Sequence, residues 1–494
     1  MSTTLGLDIG SSSVKGCLFD TLTKRSLGFA SSPDHEMPID APRAGWAEQD
    51  PNLWWEHVLR VCEQLRSLYP DSWKEVQAIG IAYQMHGLVA LDENGIPVRP
   101  AIIWCDSRAV SMGKQAIQHF GKEKLLSTLS NTPGNFTLSK MAWMINNEPD
   151  QWKKVRRVML PGDYIAYKFS GQQSTSITGL SEMIAWNFKT QSIDQDLLDY
   201  YQIHPDVFPE YFPSFSHKVL ISEALAERLG LSQSTQISYR AGDQPNNAFG
   251  LGTNKPGEVA INAGTSGVVY AISDKPVFDS HESFNTFVHV NNTPNDPRYG
   301  LLLCLNGCAI HYAHTKKTIK APDYETMNAW AASVDVGACG MRTLPFGNGA
   351  ERMLGNINPG AKTWNIDLNI HDERHFCRAS LEGIAATLAF GIEQMRTAGV
   401  PINIVHAGYA NLFKSQVFRE ALVGMAHVEL KMYQTDGSEA AAKGAAVGAG
   451  FFGFSDIEPA LLSEYSIGHS PKLEASYARV KTELWNEIQS LLQL

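Results

Sequence analysis

Several things this chain lacks narrow what it can be. Its seven cysteines (Cys17, Cys62, Cys105, Cys304, Cys308, Cys339 and Cys377) are odd in number and form no Cys-x-x-Cys pair. That argues against a disulfide framework and a zinc ribbon and fits reduced thiols in a cytosol. Apolar runs such as IAATLAFGI stop well short of the roughly 20 residues a bilayer span needs, and nothing ahead of Asp8 resembles a charged region followed by an apolar leader. A soluble, cytoplasmic protein without a membrane partner is expected. Basic charge is also scarce, at 41 Lys+Arg against 51 Asp+Glu for a net charge of −10. No basic cluster offsets this, so nucleic acid is not an expected partner.

Two familiar nucleotide signatures are missing as well. There is no G-x-x-x-x-G-K-[ST], which excludes a P-loop enzyme. A formal G-x-G-x-x-G at Gly448, Gly450 and Gly453 follows the Ala-rich SEAAAKGAAV, a helical stretch where a dinucleotide site needs a strand, so helix packing is expected there. HDERH, residues 371 to 375, spaces two histidines for one helix face but opens an amphipathic helix without a third ligand nearby. No metal site is expected from it.

What is present is an ordinary globular composition, with 494 residues, 44% hydrophobic and 19% charged, long enough for two large domains. Strand-like runs at Leu5 to Ile9, Val14 to Phe19, Ala78 to Ala82 and Leu88 to Leu91 alternate with helical ones, the pattern of an α/β layered fold. The clearest helix is DPNLWWEHVLRVCEQLRSLYP, with Asp50 as cap, Pro51 in the first turn and a stripe of Leu53, Trp54, Val58, Cys62 and Leu65. LDIGSSSV at 7 to 14 also aligns with INAGTSGV at 261 to 268, each a strand, a glycine-hydroxyl turn and a second strand. Two domains built on one hairpin follow, with a boundary near residue 240 and a cleft between them, unless two Gly/Ser turns are alike by chance. The tail SYARVKTELWNEIQSLLQL reads as an amphipathic helix covering one of the chain's own domains, or else a second subunit.

Glycine-hydroxyl turns suit phosphate, because converging backbone N–H groups meet an anion unobstructed and Ser or Thr hydroxyls add donors. Ser11, Ser12 and Lys15 are candidates on the first hairpin. Asp8 either holds a magnesium ion beside the phosphates or merely caps a β-turn. Four more stretches gather polar groups at the ends of apolar runs: IAYQMHGLVALD with Gln84, Met85 and His86; IIWCDSRA with Trp104, Asp106 and Arg108; YRAGDQPNNAFG with Asp243 in a Gln-Pro-Asn-Asn loop; and PFGNGAER. Each has a plain structural alternative, such as an Asp106–Arg108 salt bridge or Asp243 starting a turn. Together they suit a polyhydroxyl ligand at strand ends.

The segments GLDIGSSSVKG, GWAEQDPNLWW, YQMHG, WCDSRA, LPGDYIAYKFSG, AGDQPNNA, NAGTSGV, RASLEGIA and AAAKGAAVGAG run nearly the whole chain in one order. In that order the chain resembles the FGGY family of carbohydrate kinases, and within it the xylulokinases. The resemblance implies two actin-like, ribonuclease H-like ATPase domains, here 1–242 and 243–494, with the C-terminal helix, about 470–494, able to pack back on the N-terminal domain. It implies a sugar substrate, ATP and Mg2+, and leaves a homodimer open. Position by position, Asp243 matches the catalytic base and Asp8 the carboxylate that organises magnesium and phosphates. Met85, His86 and Gln244 match sugar contacts, with Trp104 and Asp106 beside them. Gly264, Thr265 and Ser266 match the second phosphate turn.

The sequence departs from the family pattern at the adenosine motif, where HAGYANLFKS supplies Ala407, Gly408 and Asn411 with Tyr409 inside the turn. Cys105 stands where Asn is common and Ser176 where Asp is frequent. Other readings stay open on the residues alone: a kinase for another ketose, polyol or sugar acid, or a sugar sensor driven by nucleotide without turnover.

Overall fold

The computed structural model describes residues 2–216, 218–457 and 459–493. The chain divides into two compact units: unit 1 is Met1–Gly250, Phe287–Arg298 and Asp436–Glu458, and unit 2 is Leu251–Thr286, Tyr299–Thr435 and Pro459–Leu494. The division falls at Gly250 rather than at 242, because Asp243–Gly250 is a helix that continues from the last sheet strand of unit 1. Asp243, expected in a loop, is therefore the first residue of that helix. Pro245 does not prevent this, since a proline in the first helical turn has no amide partner to lose.

Unit 1 is built on β1 (Thr3–Ile9), β2 (Val14–Asp20), β3 (Arg25–Ser32), β4 (Val76–Tyr83) and β5 (Gln236–Gly242), in the order β5-β4-β1-β2-β3. β1, β2 and β3 pair antiparallel, while β1, β4 and β5 run parallel. β1 and β4 are almost continuously buried, as expected of parallel strands covered on both faces. The helix Pro51–Leu68 covers β2, where Gly16 gives Val61 and Leu65 room: a Cβ there would lie 2.4 Å from Val61 Cγ1. Asp50 caps it as expected, accepting the Asn52 N–H at 2.9 Å.

The opposite approach to the sheet is made by the Ala-rich helix Gly437–Gly448, which is the helix expected at the formal glycine motif. It reaches unit 1 from far along the chain, a membership that sequence position alone assigned to the second domain. The approach is backbone to backbone. A Cβ on Gly6 would stand 1.9 Å from the Ser438 carbonyl oxygen, one on Gly80 2.0 Å from that of Ala441, and one on Gly448 2.0 Å from that of Ser238.

Unit 2 repeats the plan with β6 (Gly257–Ala263), β7 (Gly267–Ser273), β8 (Tyr299–Leu305), β9 (Ile402–Gly408) and β10 (Glu429–Gln434). Here β8, β7 and β6 pair antiparallel, and β6, β9 and β10 parallel. Each unit thus has the strand order and directions of a ribonuclease H-like, actin-like ATPase domain, and the two aligned hairpins are the β1–β2 and β6–β7 turns. The core of unit 2 is the long buried helix Glu373–Thr397. The C-terminal helix Pro471–Leu492 does not pack back on the N-terminal domain but lies within unit 2, where Trp485 donates to the Ala386 carbonyl at 3.0 Å and the Tyr477 hydroxyl accepts from Arg378 at 3.1 Å. Among the described residues no helix is long and apolar enough to cross a membrane.

Filling the glycine contacts tests this packing. Gly6→Val and Gly80→Val are each expected to cost about 1–3 kcal/mol or more through overpacking. Gly468→Ala, whose Cβ would meet nothing within 4 Å, leaves stability unchanged. Thermal denaturation followed by circular dichroism checks all three.

Candidate active site

Parallel register brings the polar ends of three strands of unit 1 level. Asp8 pairs with Ala82, Tyr83 pairs with Gly242, and the chain then turns into Gln84–Met85–His86 on one side and Asp243 on the other. A cavity of about 260 Å³ opens at these ends, lined by Asp8, Gly10, Ser11, Ser12, Ser13, Lys15, Gln84, Trp104 and Asp243. The β1–β2 turn is closed by a Gly10 N–H to Ser13 carbonyl bond of 3.0 Å. It is pinned by Gln49, whose Nε2 donates to the Ser11 carbonyl at 2.7 Å and whose Oε1 accepts from Trp54 at 3.0 Å and Gln84 at 3.3 Å. The buried Gln84 Oε1 has no hydrogen-bond partner among the described residues, an acceptor at the cavity that a ligand hydroxyl would satisfy.

Asp8 and Asp243 are half-buried and repel one another. Burial pushes the Asp243 carboxyl up to about 7, with Asp8 as the second cause. Burial pushes Asp8 up to about 6, Lys15 opposing and Asp436 adding to the rise. Asp436 caps the Gly437–Gly448 helix by accepting the Ser438 N–H at 2.8 Å. The same helix start crowds Asp8, since a Cβ on Gly437 would lie 2.4 Å from Asp8 Oδ2.

Hard carboxylate oxygens in an under-compensated acidic pocket, without Cys or His among the lining residues, fit Mg2+ better than a softer metal. The three carboxylates do not close into an all-protein cage. Among the described residues the one group of three candidate ligands within 4.8 Å of one another is His427, His469 and Glu474 in unit 2. A cation at Asp8 would keep water and phosphate oxygens as its other ligands, which is the usual habit of Mg2+.

On the Gln84–Met85–His86 turn, Met85 is buried and His86 half-buried. His86 takes a left-handed φ of 61°. Its carbonyl accepts the ammonium of the fully buried Lys140 at 2.7 Å, and Phe136 packs edge-on against its ring at 4.7 Å. Gln244 follows Asp243 and is half-buried. Trp104 reaches the cavity with 54% of its surface exposed. Asp106, expected beside it as a sugar contact, is instead fully buried. Its Oδ2 accepts the Ala47 N–H at 2.6 Å and Arg108 Nε and Nη2 at 2.8 and 2.7 Å. The carboxylate is taken up by that pair, so Asp106 holds the Trp104 loop in place and does not line the cavity.

In unit 2 the β6–β7 turn places Gly264 half-buried and Thr265 and Ser266 exposed. It docks on the start of the helix Ala309–Thr318, where the Ala309 and Ile310 N–H groups donate to the Gly264 and Thr265 carbonyls at 2.9 and 3.2 Å. A Cβ on Gly264 would be 3.4 Å from Asn411 Nδ2, so this turn meets the segment after β9. Thr265 and Asn411 line a cavity of about 780 Å³ with Tyr312, Tyr324, Asn328 and Tyr409. Ala407 lies fully buried in β9 and pairs with Ile261 of β6, and Gly408 ends β9, so any contact from these two is through the main chain.

Sequence reasoning missed Tyr312, Tyr324 and Asn328, because an aromatic on a helix face reads as core until the cavity beside it is seen. It also missed Gln49, Lys140 and Asp436, which act through buried hydrogen bonds and charge that no local spacing signals.

Comparison with known proteins adds an independent line. The family model described as FGGY family of carbohydrate kinases, N-terminal domain, matches residues 3–250. The xylulose kinase of Haemophilus influenzae is 27% identical over 462 residues, covering 90% of each chain. Two solved structures share the fold. A xylulose kinase from Rhodospirillum rubrum has a TM-score of 0.88 at 21% identity, covering 99% of each chain. A gluconate kinase from Lactobacillus acidophilus has a TM-score of 0.89 at 21% identity, covering 99% of this chain and 98% of the other. With the family model spanning half the sequence and the architecture agreeing over nearly all of it, this chain belongs to the FGGY family of carbohydrate kinases.

Proposed function

We propose that the protein transfers the γ-phosphoryl group of ATP to D-xylulose, giving D-xylulose 5-phosphate, with Asp243 as general base. The supporting observation is that Asp243, Asp8 and the serine turn line one and the same cavity in unit 1. Phosphoryl transfer asks little covalent chemistry of a protein and depends on alignment and charge neutralisation. Ser11, Ser12 and Lys15 would bind phosphate oxygens from the first hairpin. Gly264, Thr265 and Ser266 would do so from the second, with Asn411, Ala407 and Gly408 on the adenosine side. Asp8 would hold Mg2+, which when bound neutralises charge on the transferring phosphate. Met85, His86, Trp104 and Gln244 would orient the sugar.

A carboxyl held near 7 suits a base that takes the hydroxyl proton late in the transfer. The choice of sugar rests on the Met85–His86 pair and on relatives named xylulose kinases. The gluconate kinase of equal structural likeness makes sugar acids the first competitors to test.

A coupled assay over ketoses, polyols and sugar acids is expected to give the highest kcat/KM on D-xylulose, and turnover of a different sugar alone would overturn the substrate. Asp243→Ala is expected to lower kcat by about 10³-fold, while circular dichroism and the ATP-induced rise in Tm stay those of the native protein. Near-native turnover by that variant would remove Asp243 as the base.

The raised carboxyl also makes a stability prediction for the protein free of nucleotide and metal. Its folded pKa of about 7 lies above the unfolded value of about 3.9. The neutral form therefore favours the fold at acid pH, and that contribution is lost as pH rises through about 7. Asp243→Asn, which cannot ionise, is expected to match the wild-type Tm near about pH 4 and to exceed it increasingly up to about pH 8. Differential scanning calorimetry across that range reads the gap.

A further inference from the structure

Glu182 ends the helix Ile177–Glu182 and is 2% exposed, in the heart of the site just described yet without a part in the proposed chemistry. It grips His86 twice. Its Oε1 accepts the His86 main-chain N–H at 3.2 Å, and its own main-chain carbonyl meets His86 Nδ1 at 3.0 Å. A carbonyl only accepts, so Nδ1 carries a proton, and in a neutral ring Nε2 then holds the lone pair. The other carboxyl oxygen accepts the Tyr83 hydroxyl at 3.4 Å and lies 2.9 Å from where a Cβ on Gly242 would stand, one residue before Asp243. Glu182 therefore joins the ends of β4 and β5, the two strands that carry His86 and Asp243.

We propose that Glu182 is the positioning residue of the sugar-side turn: its carboxyl and its carbonyl hold the His86 main chain in the left-handed region and fix the imidazole as the Nδ1–H tautomer. The assignment rests on His86 being a sugar contact, as proposed above. The charged surroundings of Glu182 favour its acid form. The charged groups that bear on it, Asp163 from the Pro161–Ser170 helix and Asp243, are both acidic. Arg240 of β5 is turned to Asp163 at 3.0 Å, and the Lys140 ammonium is directed at the carbonyls of His86 and Ile103 at 2.7 and 3.0 Å. Burial pushes the Glu182 carboxyl well above the usual carboxylate range.

Two substitutions separate shape from charge. Glu182→Gln keeps the acceptor and the volume of the acid, and is expected to hold the sugar KM, kcat and the pH profile within about threefold of wild type. Glu182→Ala removes the acceptor and is expected to raise the sugar KM about tenfold or more, with the ATP KM unchanged. The readout independent of turnover is the 15N spectrum of histidine-labelled, ligand-free protein, with the His86 signal assigned by its loss in His86→Asn. Wild type and Glu182→Gln are expected to show the Nδ1–H tautomer, and Glu182→Ala to show tautomer exchange.

Native sugar KM and an unchanged His86 signal in Glu182→Ala would overturn the positioning role. A Glu182→Gln enzyme as impaired as Glu182→Ala, with its pH profile displaced, would overturn the neutral acid. If the wild type phosphorylates no sugar while the His86 signature responds as expected, the proposed function fails and only the hold of Glu182 on His86 stands.

Discussion

The parallel register of β1, β4 and β5 is the constraint on which the site of unit 1 depends. Parallel strands bring equivalent ends to one edge, and here those ends carry Asp8, the Gln84–His86 turn and Asp243. Slipping any pairing by one residue would turn each of these side chains to the other face of the sheet. The register is held by burial on both faces, and the close approach of the Gly437–Gly448 helix to Gly6 and Gly80 leaves no tolerance for displacement.

From that geometry follows an electrostatic tension. Burial raises the proton affinity of two carboxyls at strand ends on either side of β4; Asp8 adds to the rise at Asp243, and Asp436 at the helix start adds to that at Asp8. Such a pocket is unfavourable for the empty protein, and a bound cation would relieve it. Around it, buried polar groups are arranged for rigidity. Gln49 ties the serine turn to Trp54 and Gln84, Lys140 braces His86, and Asp106 with Arg108 braces the Trp104 loop. A site held this way positions ligands through side chains that are themselves fixed by a second layer of hydrogen bonds.

Much of this was legible in the chain, and the reason is local. Strand and helix periodicity, the Asp50 cap and the glycine-hydroxyl turns are properties of a few consecutive residues. The likeness of residues 7–14 to 261–268 corresponds to the first hairpin of two sheets with the same strand order. Asp106 shows the opposite case. Its type and its place at a strand end suit a ligand contact, and only the positions of Ala47 and Arg108 reveal that its oxygens are already engaged. Asp243 was misplaced in a loop because proline and asparagine signal turns when the preceding strand is not in view.

The sequence by itself determined the alternation of elements, the duplicated hairpin, the absence of a P-loop and the family to which these motifs belong, because each is written in short-range pattern. Tertiary structure alone decided that residues 436–458 return to unit 1, that the C-terminal helix packs on unit 2, and that Glu182 lies between His86 and Asp243. Those facts depend on contacts between residues far apart in the chain. Burial, charge coupling and the filling of space are set by such contacts, and no local spacing encodes them.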